Sequence, residues 1–163
     1  MQKTYLCIDL KSFYASVECV ELGLDPFKVN LVVADPTRGG GAITLAATPA
    51  IKKLGVSSRG RIFEIDPKIE YMITPPRMHL YMEYSCKVYK VFLEFIAKED
   101  IHVYSIDESF LDVTSYLKLY QVNAKELAKK MKKLFIPIPV PRHLIQLILG
   151  EMSTIILEGS RAS

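Results

Sequence analysis

The sequence has few cysteines and no unbroken apolar run, and these shortages exclude several classes of protein. Its three cysteines, Cys7, Cys19 and Cys86, are scattered and none belongs to a Cys-x-x-Cys pair. Neither a disulfide framework nor a zinc site is therefore predicted, and we expect buried, reduced thiols. The most apolar stretch, residues 134–149, is broken by three prolines. It is too interrupted to predict a membrane span.

A strong surplus of one charge is also lacking. Twenty-one Lys and Arg against eighteen Asp and Glu give a net charge of +3, which by itself does not indicate a nucleic-acid partner. The first twenty residues contain no uncharged apolar core, so no signal peptide is predicted and we expect a cytoplasmic protein. The glycines at 39–41 lack the Gly-Lys-Ser or Gly-Lys-Thr ending of a phosphate loop, which excludes an ATPase of that type.

Half of the 163 residues are hydrophobic, which is enough for one compact body with a packed core. Apolar periodicity, turn residues and helix caps define its elements. The pattern predicts strands at 4–10, 29–35 and 42–47, a hairpin at 101–114, and helices at 13–22, 49–54, 77–98 and from 123 onward. This order favours an α+β fold in which helices pack against a sheet.

The hairpin at 101–114 contains two adjacent acids, Asp107 and Glu108, between residues typical of a buried strand. Two carboxylates held close together repel each other and lose hydration, which a divalent cation relieves. Asp9 also follows an apolar strand, and three carboxylates suit Mg²⁺ shared with substrate phosphates. Alternatively, Asp107 and Glu108 mark a solvated hairpin tip and Asp9 caps the following helix.

Two motifs point to a known family. IDLKSFYASVE at 8–18 and YSIDESFLDVT at 104–114 resemble the two catalytic signatures of Y-family translesion DNA polymerases. LVVAD and TLAATPAIKKLGV, which lie between them, resemble the fingers of the UmuC-like branch. The resemblance covers roughly residues 1–134 and implies a palm with a small fingers lobe. It divides the chain into palm at 1–23, fingers at 24–74, palm at 75–134 and an atypical tail at 135–163.

The resemblance also implies the roles of individual residues. Asp9, Asp107, Glu108 and the backbone carbonyl of Leu10 would bind Mg²⁺. Tyr14 matches the steric gate that rejects ribonucleotides, and Phe13 and Lys52 would contact the incoming nucleotide. Many family members carry a tyrosine and an arginine on the fingers helix. The matching residues here are Pro49 and Lys52, so only the positive charge is retained, and a solvent-exposed lysine is the alternative interpretation.

The tail departs from the family pattern after Phe135, where alternating prolines disfavour the expected palm strand. We therefore expect a C-terminally incomplete polymerase that is inactive alone. The complete enzyme would bind primer-template DNA and a deoxynucleotide in DNA repair and the SOS response, with a sliding clamp or recombinase as a further partner. The alternatives are a non-catalytic remnant that binds DNA weakly through its basic helix, and another palm-type nucleotidyl transferase such as a cyclase.

Overall fold

The computed structural model describes residues 3–134 and 152–159. Its strands are β1 (Lys3–Leu10), β2 (Leu31–Val33), β3 (Ala46–Ala47), β4 (Met72–Thr74), β5 (Ile101–Val103), β6 (Glu108–Asp112) and β7 (Met152–Gly159). Its α-helices are α1 (Phe13–Glu21), α2 (Pro49–Lys52), α3 (Met78–Leu93), α4 (Thr114–Leu119) and α5 (Ala124–Leu134). Two compact units result: the described parts of Met1–Lys11 and Met82–Ser163 form one, and Ser12–Tyr81 forms the other.

The first unit is built on a four-stranded sheet with the order β5-β6-β1-β7, in which every neighbouring pair is antiparallel. Burial alternates along β1, as period-two side-chain geometry requires. Leu6, Ile8 and Leu10 are buried, whereas the residues between them are half-buried. One face of β1 therefore packs into the core and the other carries Asp9.

Helix α5 shows how local sequence fixes an element of this unit. The backbone N–H of Glu126 donates to Asn123 Oδ1 (2.9 Å), and the N–H of Asn123 donates to Glu126 Oε2 (3.0 Å). These reciprocal bonds form a capping box, in which the Asn-x-x-Glu spacing of the sequence fixes the start of the helix. Leu127 and Met131 are fully buried on the opposite side from the lysines that the helix presents at 125, 129, 130 and 133.

The second unit contains a three-stranded sheet with the order β3-β2-β4. Strands β2 and β3 are antiparallel, whereas β4 pairs with β2 in parallel. Thr48 caps α2 and also joins it to the sheet, because its hydroxyl accepts from Leu31 N–H (3.1 Å) and donates to the Val29 carbonyl (2.7 Å). The core of this unit is formed by Val32, Ala47, Ile51 and Ile65.

The α+β class and the hairpin at 101–114 are confirmed. Strand β7, which the sequence analysis did not predict, pairs with all eight residues of β1. The prolines that disfavour a palm strand lie at 137–141, and residues 135–151 and 160–163 lie outside the described residues. The expectation of three buried cysteines is correct only for Cys19, since Cys7 is half-buried and Cys86 is exposed. In the described part of the chain, no helix is long and apolar enough to cross a membrane. The palm and fingers boundaries stay a prediction.

Candidate active site

The three predicted acids of the first unit lie at one end of the β1 and β6 pair. Asp9 is the direct cross-strand partner of Glu108, and such partners project from the same face of a sheet. The backbone pairing continues one residue beyond β6, where Leu10 N–H donates to the Asp107 carbonyl (2.9 Å). All three acids are half-buried. The hairpin thus brings carboxylates from distant parts of the sequence to one strand end.

Ser105, which the sequence analysis did not assign, connects two of these acids. Its hydroxyl oxygen lies 2.9 Å from Asp107 Oδ1 and 3.2 Å from Glu108 Oε2. A hydroxyl has one proton, so it donates to only one carboxylate at a time. Among residues 3–134 and 152–159, neither Asp107 nor Glu108 forms an ion pair. Their negative charge is therefore not neutralised by a described basic side chain.

The donor chemistry of this strand end fits a hard divalent cation. Carboxylate and carbonyl oxygens are the ligands that Mg²⁺ prefers. In the described residues, however, no three His, Cys, Asp or Glu side chains are grouped closely enough to hold a metal ion. A cation would have to draw the side chains together as it binds. The alternative role of Asp9 as a helix cap is wrong, since α1 has Ser12 as its N-cap residue and no side-chain cap bond.

Asp107 also borders a cavity of about 200 Å³ within the first unit. Apolar side chains from α3 and β1 form most of its wall, including Leu10, Val88 and Phe92. Apolar surroundings weaken the screening of a charge by solvent. The attraction between Asp107 and a cation would therefore be stronger here than at an open surface.

The predicted nucleotide-contacting residues belong to the second unit. Tyr14 is half-buried on α1, and its ring stacks on that of Tyr81 with the centroids 4.5 Å apart and an interplanar angle of 10°. Phe13 is only 2% exposed and belongs to the core. It has almost no surface to offer a nucleotide, so we leave it out of the site.

Lys52 is half-buried, and its ammonium donates to Ser12 Oγ (2.7 Å). The alternative interpretation of Lys52 as a solvent-exposed lysine is therefore wrong. Ser12 itself has a left-handed backbone conformation (φ 55°) directly before α1. The bond holds the positive charge of Lys52 beside the N-terminus of α1, where backbone N–H groups favour anions.

A buried carboxylate, Glu18, was also missed by the sequence analysis. It is 2% exposed, accepts from Arg77 Nε (3.1 Å) and from Arg77 Nη2 (2.6 Å), and accepts from the Tyr81 hydroxyl (2.6 Å). The hydrogen bond to Glu18 raises the pKa of Arg77, while burial and then the bond to Glu18 raise the pKa of Tyr81. The only sequence signal was an acid among the apolar positions of α1.

Comparison with known proteins identifies relatives of this chain. Residues 8–136 match the impB/mucB/samB family. The putative UV-damage repair protein UvrX of Bacillus subtilis is 46% identical over 114 residues, which are 68% of this chain and 27% of UvrX. The DNA repair protein homolog YozK of the same organism is 42% identical over 109 residues, which are 65% of this chain and 93% of YozK. DNA polymerase IV 2 of B. subtilis is 35% identical over 135 residues, which are 80% of this chain and 31% of that protein.

Solved structures support the same fold. A Y-family DNA polymerase chimera matches with a TM-score of 0.68 and 23% identity, over 95% of this chain and 42% of the chimera. DinB from Sulfolobus solfataricus matches with a TM-score of 0.64 and 22% identity, over 96% of this chain and 42% of DinB. This chain thus spans less than half the length of these structures. It belongs to the impB/mucB/samB family and has the palm and fingers fold of the N-terminal portion of a Y-family translesion DNA polymerase.

Proposed function

We propose that this chain supplies the palm and fingers of a translesion DNA polymerase, which in its complete form transfers deoxynucleotides to a primer under the direction of a template. The observation that carries the proposal is the strand-end placement of Asp9 opposite Glu108, with Asp107 beside it. These acids lie within the residues that match the family. The members of the Y family are metal-dependent, and carboxylates at this position give that dependence a physical basis.

The cation that we propose is Mg²⁺, held by Asp9, Asp107, Glu108 and the Leu10 carbonyl. When bound, it would lower the pKa of the primer 3′-hydroxyl and neutralise charge on the triphosphate. Lys52 would bind phosphate as a point charge, because it lacks the bidentate fork of an arginine. Ser105 would orient whichever of the two carboxylates, Asp107 or Glu108, accepts the hydrogen bond of its hydroxyl.

Tyr14 is the proposed determinant of sugar selection. A bulky ring against the sugar rejects a ribonucleotide by collision with its 2′-hydroxyl. The stacked, half-buried position of the Tyr14 ring supports this role, since a ring that is held in place is a better steric barrier than a mobile one.

The proposed partners are primer-template DNA and a deoxynucleotide, with a sliding clamp or recombinase as a further partner and the cytoplasm as the site of action. UvrX is named a putative UV-damage repair protein and YozK a DNA repair protein homolog. These names support the proposal of a role in DNA repair and, as a finer proposal, in the SOS response. We expect no primer extension by this chain alone. Affinity for duplex DNA depends on the number of phosphates that basic side chains contact, and the exposed lysines on α5 can contact only a few.

The test is primer extension by a chimera in which this chain replaces the matching 135-residue region of B. subtilis DNA polymerase IV 2. The chimera should extend a primer with deoxynucleotides, and Tyr14→Ala should admit ribonucleotides. Unchanged sugar selectivity in the variant would refute the gate. Extension by the 163-residue chain alone would refute the expectation that it needs further domains.

The second candidate is a non-catalytic remnant that binds DNA weakly. It is favoured by the absence of a preassembled three-ligand group in the described residues. An inactive chimera whose parent polymerase is active would support it. The cyclase alternative is disfavoured by the family match.

A further inference from the structure

A chain of direct contacts leads from the Tyr14 ring to a buried ion pair within Ser12–Tyr81. Tyr14 stacks on Tyr81, the Tyr81 hydroxyl donates to Glu18, and Glu18 is held at both oxygens by Arg77. Tyr81 is 0% exposed. Its ring is thus fixed on one side by the stack and at its far end by a hydrogen bond of 2.6 Å.

We propose that Tyr81 is a positioning residue for sugar selection: it backs the Tyr14 ring and keeps that ring in a single rotamer. The proposal rests on the proposed function of Tyr14 as the steric gate, and it identifies Tyr81 as the residue that holds the gate ring in place. Tyr81 acts only through Tyr14, and Glu18 with Arg77 acts only through Tyr81.

Geometry explains why the gate needs such support. Tyr14 is half-buried, and a side chain with an open side exchanges between staggered rotamers unless packing selects one. The nearly parallel Tyr81 ring covers one face of Tyr14 and removes rotamers that would swing it away. Tyr81 cannot retreat in turn, because leaving Glu18 would break a buried hydrogen bond to a carboxylate.

The neighbouring ring of Phe13 does not provide the same support. Its centroid lies 6.0 Å from that of Tyr14, and the planes are tilted by 54°. Phe13 therefore contacts Tyr14 edgewise at most, while the face-to-face contact comes from Tyr81. The selectivity of the gate is accordingly expected to depend on Tyr81.

The experiment measures the Tyr14 rotamer and nucleotide selectivity in the 163-residue chain. Three-bond NMR couplings between the α- and β-protons of Tyr14 report its χ1 rotamer. Changes in amide chemical shifts during titration with dATP or ATP in the presence of Mg²⁺ report nucleotide binding. In Tyr81→Leu, we expect averaged couplings and a loss of about threefold to tenfold in preference for dATP, the range that an aromatic pair supplies. Tyr81→Phe keeps the ring but loses the bond to Glu18, so it should lose less of the preference for dATP than Tyr81→Leu does.

The matched control is Tyr84→Leu, which removes another buried tyrosine ring, 7% exposed, from the same helix. It should leave the Tyr14 couplings and the preference for dATP unchanged. If Tyr81→Leu does not fold, Tyr81→Met also removes the ring while its flexible side chain fills more of the space. A single Tyr14 rotamer in the folded Leu or Met variant, or equal averaging in the control, would overturn the proposal.

The two proposals fail in different ways. Equal affinity of the original chain for dATP and ATP would refute the gate, and the support of the gate with it, whatever the couplings show. If Tyr81→Leu shows averaged Tyr14 couplings but keeps the original preference for dATP, the role of Tyr81 is refuted and the gate is not.

Discussion

The acids at the end of β1 and β6 and the acid on α1 are treated by the protein in opposite ways. Glu18 is buried and its two oxygens accept three hydrogen bonds, two of them from an arginine. Asp107 and Glu108 are half-buried and share one serine hydroxyl. A carboxylate whose charge is neutralised by hydrogen bonds and an arginine within the protein has a structural role. Adjacent carboxylates without a described ion pair are instead suited to binding an external cation.

The largest expected effect separates activity from stability at the strand end. In the polymerase IV chimera, Asp107→Asn or Glu108→Gln should reduce primer extension by more than about a hundredfold, beyond the range of changes outside the metal ligands. The free energy of unfolding should change by less than about 1 kcal/mol, because removing one of two repelling charges does not destabilise the fold. Gel-resolved extension and thermal unfolding give the two values. A large loss of stability would assign these acids to the structural class.

The opposite pattern is expected at Glu18. Glu18→Ala leaves Tyr81 and Arg77 without their acceptor and opens a cavity, so the free energy of unfolding should fall by about 2–4 kcal/mol. For a chain of this size the melting temperature should drop by about 5–15 °C. Calorimetry of the chain alone measures this without any polymerase assay. A melting temperature within a degree of the original would break the comparison.

Ser105 offers a smaller effect on the side of the proposed catalytic acids. Ser105→Ala removes the hydroxyl shared by Asp107 and Glu108 but no proposed ligand. The Mg²⁺ concentration for half-maximal extension should rise by about tenfold, as is typical when a ligand loses its supporting hydrogen bond. The rate at saturating Mg²⁺ should recover in large part. An unrecovered rate would indicate that Ser105 acts on the substrate directly.

Two cysteines report on the same two regions with the smallest expected effect. Cys7 lies two residues before Asp9, and burial raises its pKa modestly; Cys19 follows Glu18, and burial first, then Asp25 and Glu18, raise its pKa to about 12. A raised pKa leaves less reactive thiolate at any pH below it. At pH 8, an alkylating reagent should label exposed Cys86 first, then Cys7, and Cys19 only on unfolding. Early labelling of Cys19 would show that the region around Glu18 opens readily.

Local patterns made much of this fold predictable. The alternation along β1, the Asn123 and Glu126 capping box and the hairpin with its acids are all encoded within a few residues, so they could be predicted from the sequence. Strand β4 could not be, because it pairs in parallel with a strand far away in sequence and two of its three residues are exposed. Strand β7 was not predicted, because the prolines at 137–141 disfavour a strand in the tail, although TIILEG itself has an ordinary strand pattern.

Local sequence patterns also decide which residues of the candidate site could be predicted, whereas contacts between distant residues could not. Asp107 and Glu108 are conspicuous as adjacent acids in an apolar strand. Tyr81 gave no signal, since a tyrosine on an amphipathic helix is an ordinary core residue until its stacking partner on α1 is known. The place of Lys52 on α2 could be predicted, but its bond to Ser12 depends on the left-handed backbone at Ser12, which the sequence did not predict.

The pairing of β7 with β1 also has a practical consequence for handling this domain. In the described sheet β1 is an interior strand, and β7 covers one side of it from Leu10 opposite Met152 to Lys3 opposite Gly159. A version shortened before residue 152 would leave that side of β1 as an eight-residue edge with unsatisfied N–H and C=O groups. Long uncovered edges recruit strands from other molecules and lead to aggregation. Soluble expression of shortened versions should therefore depend on keeping residues 152–159.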